Sequence, residues 1–341
     1  MQHGYRVKPK NVLLCGYFGY GNMGDEAALE AAISLLLEYG VSSLVVYNPA
    51  GDFDKYSDMG AKRCNRFSAK EIKIALRSSD ALILTGGNLI QNETSERSLL
   101  YYSAITALAE RAEKPVYMLS SGVGRVSGYL GERCMRRALS RVSFAGLRTE
   151  GDLNECRGLL GCAAYNMPDL VFAGKSINRE KRDSFAIIPK NASRELITAS
   201  KRLKSAGLAP VVIPLFTKED LSASGYIGGE VGCEVFISQS AAEITERLAT
   251  CKLTLSERLH GAIFSVMGST PYQDFSSSEK CKRFSNEMLL RAGKLNTPPP
   301  VLRENDFAKA WLSDDETDFR ALTESCTRDL RFSLNRLFNQ C

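Results

Sequence analysis

Histidine is scarce in this sequence, and its cysteines lack a metal-binding spacing. The 341 residues include only two histidines, His3 and His260, and ten cysteines among which no C-x-x-C pair occurs. Structural zinc is bound mainly by histidines and by such cysteine pairs, so no metal site is expected. His3 lies in a polar N-terminal stretch that we expect to fray. His260 is therefore the one histidine considered for proton transfer near neutral pH.

Long apolar runs are also absent. No segment reaches the roughly 18 consecutive apolar residues of a membrane-spanning helix. The polar, basic N-terminus lacks the apolar core of a secretory signal. These absences predict a cytoplasmic protein whose cysteines remain reduced thiols.

The charge balance lacks a strong excess of either sign. The 44 lysines and arginines and 39 acidic residues give a net charge of +5. Proteins that bind nucleic acid usually carry a concentrated basic face, so no nucleic-acid partner is expected. The mild positive excess fits a local site for a small anion better.

The order of apolar and amphipathic segments predicts the fold. A chain of 341 residues usually exceeds one hydrophobic core, so two domains are expected. Parallel-type apolar strands alternate with helices as far as Arg148, and the alternation restarts at Ser184. We therefore expect an α/β protein with two Rossmann-like doubly wound domains facing a cleft. The predicted domains are residues 1–178 and 179–300, and residues 301–341 should be C-terminal helices.

One stretch of the second domain combines a strand, a polar turn and a helix. Lys252–Gly268 begins as an apolar strand, passes through Arg258 and His260, and restarts as an apolar helix. Ligands of open α/β sheets bind at the carboxyl ends of strands, where the next helix presents free N–H groups. Arg258 and His260 are thus candidates for an anion and proton-transfer site. The alternative is that the histidine is only a structural hydrogen-bonding residue.

A glycine-rich turn follows the first strand. Gly19-x-Gly21-x-x-Gly24 has the spacing of the dinucleotide fingerprint, between a strand and a helix. The second strand, however, ends at Asn48 instead of the acid that binds a ribose. The helix also opens with Asp25-Glu26, whose charges repel a pyrophosphate. We interpret the glycines, with Asn22, as a backbone approach to a polar substrate, and NAD remains a minor alternative.

A second polar loop follows another strand of the first domain. It extends from Gly86-Gly87 to Ser98, and its amides and hydroxyls suit the hydroxyl groups of a sugar. The candidate side chains in it are Gln91, Thr94, Ser95 and Arg97. An ordinary polar loop that caps the following helix explains the same composition.

Several cations stand where they could serve an anion site. Arg148 ends a strand of the first domain, and Lys280, Lys282 and Arg283 follow the strand at Tyr272. With Arg258 they suit a small substrate that carries both a carboxylate and a phosphate. A solvated charged face is the alternative for the Lys280 cluster.

Taken together, these motifs resemble the polysaccharide pyruvyl transferase family over about Asn11–Phe284. The resemblance is carried by the segment Gly16–Ala27, by the segment Gly86–Tyr102, and by Arg258-Leu259-His260. It departs from the family at Ser278-Glu279-Lys280, where the family has Asp-Pro-Lys. That departure leaves open whether Lys280 or Lys282 contacts the donor.

The resemblance implies a fold similar to that of GT-B glycosyltransferases and a pyruvyl transfer. The pyruvyl group would pass from phosphoenolpyruvate, as co-substrate without another cofactor, to a sugar of a cell-wall or extracellular polysaccharide precursor as a ketal. His260 and Arg258 would be catalytic, and Arg148, Lys280 and Lys282 would bind the donor. The acceptor side would comprise Gly19, Gly21, Asn22, Gly24, Asp25, Gln91, Thr94, Ser95 and Arg97.

Two other functions remain open, as do several details. A GT-B-like glycosyltransferase would use a nucleotide sugar across the same cleft. A non-catalytic relative would bind sugars or anions without turnover, although the intact Arg258 and His260 argue against it. The sequence leaves open the acceptor sugar, a lipid link on it, peripheral contact with the inner membrane face, and the oligomeric state.

Overall fold

The computed structural model describes residues 8–48, 53–93, 95–302 and 317–338. Its contacts divide the chain into two units, each of which contains one parallel sheet. The first unit comprises Met1–Tyr20, Asp25–Ala173 and Thr327–Cys341, and the second comprises Gly21–Gly24 and Gly174–Cys326. The expectation of an α/β chain with two parallel sheets is confirmed.

The first unit is built on an eight-stranded sheet. The strands are β1 Asn11–Cys15, β2 Ser43–Tyr47, β3 Ala61–Cys64, β4 Ala81–Thr85, β5 Asn88–Ile90, β6 Val116–Val123, β7 Val142–Leu147 and β8 Ala164–Asn166. The helices are α1 Met23–Glu38, α2 Asp54–Asp58, α3 Ala69–Ser78, α4 Glu96–Arg111, α5 Tyr129–Ser140 and α6 Glu150–Cys156, with a 3-10 turn at Leu170–Ala173.

The strand order of this sheet is that of a doubly wound fold. It runs β3-β2-β1-β4-β6-β7-β8, with β5 paired to β6, and each pairing is parallel. Strands such as Ala81–Thr85 are buried throughout because helices cover both faces of the sheet. The order reverses between β1 and β4, which is where ligands of such folds usually bind.

The second unit repeats this plan with five strands. Its strands are β9 Arg182–Ile188, β10 Ala209–Val212, β11 Glu234–Val235, β12 Cys251–Ser256 and β13 Tyr272–Asp274. Its helices are α7 Arg194–Ser205, α8 Thr217–Val231, α9 Ala241–Ala249, α10 Leu259–Met267 and α11 Glu279–Leu295. The parallel order is β11-β10-β9-β12-β13, so the reversal falls between β9 and β12.

The C-terminal part includes helix α12, Phe319–Phe338, which is divided between the units at Cys326. The chain passes from the first unit to the second after Ala173. The sequence also predicts a helix over Ala308–Leu312, which lies outside the described residues. The predicted domain bounds, 1–178, 179–300 and 301–341, remain a prediction.

Several elements were not predicted from the sequence, and β3 and α8 show why. Strand β3 is a four-residue edge strand with two exposed positions, so its apolar signal is weak. Helix α8 includes the glycine-rich stretch from Ser224, to which no helix was assigned. Its buried positions, Asp220, Ser224, Ile227 and Val231, nevertheless recur at helical spacing. Because two of the four are polar, the buried face of this helix does not stand out as an apolar pattern in the sequence.

Candidate active site

The turn between β12 and α10 lies at the reversal of strand order in the second sheet. Ser256 pairs with Ile188 of β9, and the chain turns through Glu257 and Arg258 before α10 begins at Leu259. The Ser256 hydroxyl accepts a hydrogen bond from the Arg258 N–H at 3.1 Å and donates one to the Arg258 carbonyl at 2.8 Å. This local bonding fixes the turn and presents the N-terminus of α10 at the sheet edge.

Glu257 anchors this turn to the loop on the other side of the reversal. Its carboxylate accepts hydrogen bonds from the backbone N–H groups of Lys190, Asn191, Ala192 and Ser193, at 2.6, 2.8, 3.2 and 3.0 Å. Burial alone would raise the pKa of Glu257, but the hydrogen bonds from Ser193 and its neighbours outweigh burial and lower that pKa. The sequence analysis missed this residue because its partners lie more than 60 residues away.

Arg258 is held by an acid of α8. Its Nε donates to Asp220 Oδ2 at 3.1 Å, and its Nη2 contacts Asp220 Oδ1 and, at 3.3 Å, Glu219. Asp220 is fully buried and also accepts from the backbone N–H of Phe216 at 2.9 Å. Burial raises the pKa of Asp220, while Arg258 acts in the opposite direction. The hydrogen bonds to these acids use Nε and Nη2 of the guanidinium.

His260 packs directly on the glycine-rich turn. It lies in the first turn of α10, is 9% exposed, and has its imidazole against the backbone of Gly24. A Cβ added to Gly24 would lie 1.9 Å from His260 Nδ1 and 2.1 Å from its Cγ, so only glycine leaves room for the ring. Gly24 belongs to the second unit, as His260 does.

The turn carrying Gly24 is joined to the segment after β10. Asn22 forms an antiparallel bridge with Phe216, and Met23 N–H donates to the Leu215 carbonyl at 2.8 Å. Because Phe216 bonds Asp220, and Asp220 bonds Arg258, the contacts connect the turn, α8 and the start of α10. Two motifs separated by more than 200 residues therefore meet within one unit, around Arg258 and His260.

The other predicted residues of the glycine-rich turn have distinct surroundings. Gly19 has φ +79° and a Cβ there would collide with Asn48, whereas Gly21 has φ +81° and open space. Asp25 is 5% exposed and lies against Gly86 and Gly87 at the end of β4. This places Asp25 at the reversal of strand order in the first sheet, between β1 and β4.

The polar loop after β4 is mostly used by the first unit itself. Gln91 is buried and packs on Gly124. Ser95 caps α4 by accepting a hydrogen bond from the Arg97 N–H at 3.1 Å, and the Arg97 side chain is exposed. Thr94 lies outside the described residues. The capping role that the sequence left open as an alternative is thus present for Ser95.

Arg148 points into the first unit. It is 4% exposed, and its Nε lies 3.1 Å from Asp169 Oδ2, although the orientation of the two groups is unsuited to a hydrogen bond. The charge of Arg148 is therefore matched by Asp169. Arg148 belongs to the first unit, and His260 belongs to the second.

Lys280 and Lys282 lie exposed in the first turn of α11. That helix follows β13, the neighbour of β12, so the lysines belong to the same sheet edge as Arg258. Lys282 Nζ is 3.3 Å from Glu279, and an exposed pair of this kind restrains the side chain little.

The described residues contain no candidate metal site and no candidate membrane span, and their cysteines form no disulfide bonds. No group of three or more His, Cys, Asp or Glu side chains in this part of the chain could hold a metal ion. None of its helices is long and apolar enough to cross a membrane. The nine cysteines in these ranges are free thiols.

Comparison with known proteins gives a family and a fold. A family model described as polysaccharide pyruvyl transferase matches residues 22–271. No curated protein matches the sequence significantly.

Solved structures extend the comparison to the fold. UDP-GlcNAc 2-epimerases from Methanocaldococcus jannaschii and Neisseria meningitidis, each 11% identical, superpose with TM-scores of 0.57 and 0.52. The first match covers 94% of this chain and 98% of the epimerase, and the second covers 96% and 93%. UGT89C1 from Arabidopsis thaliana is 12% identical with a TM-score of 0.52, over 98% of this chain and 94% of its own. At these identities the likeness shows the fold alone, which is GT-B-like as expected.

Proposed function

The chain belongs to the polysaccharide pyruvyl transferase family, and from that premise we propose that it uses phosphoenolpyruvate as the donor. The enolpyruvyl group would be added to a sugar of a cell-wall or extracellular polysaccharide precursor, as a pyruvate ketal. The proposal depends on one observation. Contacts within one unit join the turn Asn22–Gly24, Asp220, Arg258 and His260 beyond the carboxyl end of β12, beside the strand-order reversal where ligands of such folds usually bind.

The reaction makes definite demands on the protein. The CH₂ carbon of the donor gains a proton, and a sugar hydroxyl attacks the neighbouring carbon. Inorganic phosphate leaves, and a second hydroxyl closes the ketal. Of the two protons lost by the hydroxyls, one balances the proton added to carbon and the other leaves with phosphate. The site must supply an acid, a base, and cations for the carboxylate and phosphate.

His260 and Arg258 meet the central demands. The imidazole of His260 is the acid and base, and its position is fixed by packing against Gly24. Arg258 binds an oxyanion of the donor, while Asp220 holds the guanidinium in orientation. The positive end of the α10 helix dipole adds to the attraction for an anion.

The remaining donor cations are assigned by their position. Lys280 or Lys282 is the second donor cation, because both lysines lie in the first turn of the helix that follows β13, the strand beside β12. Arg148 as a donor ligand remains a prediction, and its pairing with Asp169 gives that side chain a structural role of its own.

The acceptor is assigned to the first unit and the glycine-rich turn. Asp25 at the strand-order reversal is the best-placed candidate, since a carboxylate accepts hydrogen bonds from sugar hydroxyls. Gly19, Gly21, Asn22, Gln91, Ser95, Arg97 and the undescribed Thr94 complete the proposed acceptor set. Gly24 has a separate requirement for glycine, imposed by His260.

A lipid-linked acceptor would bring the enzyme, proposed to be cytoplasmic, to the inner membrane face. The start of α5 fits such contact. Tyr129 and Leu130 are 76% and 73% exposed, and the exposed Arg133 and Arg136 follow them on the same helix. Exposed apolar side chains beside arginines suit an anionic lipid surface.

The test is a product assay with the purified chain. Phosphate release from phosphoenolpyruvate is measured with candidate lipid-linked wall precursors, and mass spectrometry identifies the ketal. His260→Gln should remain folded and lose roughly 10²–10⁴-fold in turnover, because an amide cannot deliver a proton. UDP-sugars are assayed in parallel. Glycosyl transfer from them without phosphate release would favour the glycosyltransferase, and binding of donor without turnover would favour the non-catalytic relative.

A further inference from the structure

Arg66 is a buried cation beyond the end of β3, in the first unit. It is 7% exposed, and its guanidinium carbon lies 4.4 Å from the ring centroid of Tyr101 and 5.8 Å from that of Tyr20. Its Nη1 donates a long hydrogen bond of 3.5 Å to the carbonyl of Gly16, the residue after β1, and its side chain also interacts with the neutral phenols of Tyr101 and Tyr102. Its Nε is buried without a hydrogen-bond partner.

No negative charge among the described residues neutralises Arg66. The two thiols nearest in the sheet stay protonated, because burial raises the pKa of Cys15 to about 12 and that of Cys64 to about 11. Burial also raises the pKa of Tyr101, so its phenol is neutral. A buried charge without an ionised partner destabilises a fold, and such groups concentrate at sites that bind ligands.

A second unsatisfied polar group lies at the end of the neighbouring strand, β2. Asn48 follows the last residue of β2. Its backbone N–H donates to the carbonyl of Cys64, the last residue of β3, at 3.1 Å, and Arg66 follows Cys64 closely in the sequence. Its side chain is fully buried, yet neither Oδ1 nor Nδ2 has a hydrogen-bond partner among the described residues. Gly19 lies directly on this amide. Two neighbouring strand ends thus each leave a buried polar group without the bonds it can make.

Aromatic rings pack against the Arg66 guanidinium. Tyr20 lies over it and stacks on Tyr17, with ring centroids 4.3 Å apart, and Tyr17 is 38% exposed. Tyr20 stands between Gly19 and Gly21, whose φ values of +79° and +81° are ones that other residues rarely adopt. The position of Tyr20 therefore depends on a glycine at each side of it.

We propose that Arg66 and Asn48 form an oxyanion subsite that binds a phosphate or carboxylate group of the acceptor, with Tyr20 as its cover. The guanidinium would hold the oxyanion through two parallel hydrogen bonds, and the Asn48 amide would add a third. The ligand class is a sugar linked through phosphate or carrying a carboxylate. The assignment to the acceptor rests on the proposed function, whereas the subsite itself does not.

The test separates the subsite from the donor site. The full chain is saturated with phosphoenolpyruvate, and inorganic pyrophosphate or glucuronate is then titrated by calorimetry and thermal unfolding. We expect one or both to bind. Arg66→Met should weaken that binding at least tenfold, while the ligand-free unfolding midpoint is unchanged or higher because a buried charge is removed. Pyrophosphate binding alone indicates a phosphate-linked acceptor, and glucuronate binding alone an acidic sugar.

Control variants distinguish loss of the oxyanion subsite from damage to the fold. Arg77→Met removes an exposed charge from α3 and should leave oxyanion binding intact. Tyr20→Ala retains Arg66 and should tighten oxyanion binding several-fold, because the proposed cover is removed. This variant still tests the subsite if Arg66→Met fails to fold. Oxyanion binding that survives Arg66→Met with a lowered midpoint would make Arg66 structural and overturn the proposal. A missing response to phosphoenolpyruvate, with Arg66-dependent oxyanion binding preserved, would instead count against the proposed function alone.

Discussion

At the residue scale, Gly24 shows that a glycine can be required by a distant side chain. Its φ is ordinary, so the turn itself does not demand glycine at this position. The demand comes from the imidazole of His260, which occupies the place of a Cβ. The requirement for glycine at position 24 is thus explained by His260, without a bound dinucleotide.

Gly24→Ala should displace the His260 ring and lower turnover about 10²-fold, since misplacement by 1 Å has effects of that size. The added methyl group should also lower the free energy of unfolding by about 1–3 kcal/mol, as overpacking commonly does. Steady-state kinetics and denaturant unfolding of the same sample measure both. Gly229→Ala is the control, because that helical glycine has open space around it and the substitution should be neutral or stabilising. Turnover at the wild-type level in Gly24→Ala would remove the packing argument.

Local pattern predicted the positions of Arg258 and His260, but not their partners. A strand, a polar turn and an apolar helix in succession are sufficient to place both residues beyond the carboxyl end of β12, where ligands of such folds usually bind. Asp220, Glu257 and Gly24 act through contacts that span 38 to more than 200 residues, and no local spacing encodes them. For Asp220, the acidic first turn of α8 was the available signal, and the glycines after it obscured the helix.

At the element scale, Glu257 ties the β12–α10 turn to the β9–α7 loop. One carboxylate satisfies four backbone N–H groups at the point where the strand order reverses. The two loops are therefore fixed to each other by a single side chain. A charged acceptor is suited to this role because it bonds several donors at once.

Glu257→Gln should lower the free energy of unfolding by about 1.5–3 kcal/mol at neutral pH. Because the folded-state pKa of Glu257 lies below its unfolded value, its contribution is complete above the unfolded pKa, about 4.3. It is lost as pH falls through the folded-state pKa, so wild type and variant should converge in acid. Urea unfolding from pH 7 to pH 3 measures this. Glu246→Gln, in an exposed pair with Arg179, should change stability by less than about 1 kcal/mol. A difference that persists unchanged in acid would contradict the assignment.

Whole-molecule architecture followed from the alternation of strands and helices, because parallel sheets require crossover helices. The short edge strand β3 and the division of α12 between two units did not follow, since neither leaves a periodic apolar signal of its own. Both sheets reverse their order beside a motif recognised in the sequence, Gly86-Gly87 in the first and Arg258–His260 in the second.

Donor binding should be measurable as an increase in the free energy of unfolding of the whole chain. Phosphoenolpyruvate at about 100 times its dissociation constant should stabilise the folded state by about 2.7 kcal/mol. The effect should be equal in EDTA and in magnesium, since the proposed anion site uses Arg258 and lysines. Arg258→Lys should weaken the effect markedly, because an ammonium cannot bond Asp220 and a ligand in the same geometry. Thermal unfolding measures it, and stabilisation by NADH without any by phosphoenolpyruvate would reject the donor assignment.

Membrane association should depend on charge and on two apolar side chains of α5. The exposed Tyr129 and Leu130 can enter the headgroup region, and Arg133 and Arg136 are each expected to contribute about 1 kcal/mol near an anionic surface. The chain should therefore float with phosphatidylglycerol vesicles at low salt, and less at high salt or with phosphatidylcholine alone.

Joint substitution of Tyr129→Ser and Leu130→Ser should reduce binding on the order of tenfold, because apolar burial in the interface is lost. Leu290→Ser, which removes a 56% exposed leucine from α11, should leave binding unchanged. Equal flotation with neutral and anionic vesicles, or full binding by the double variant, would show that α5 is not the contact surface.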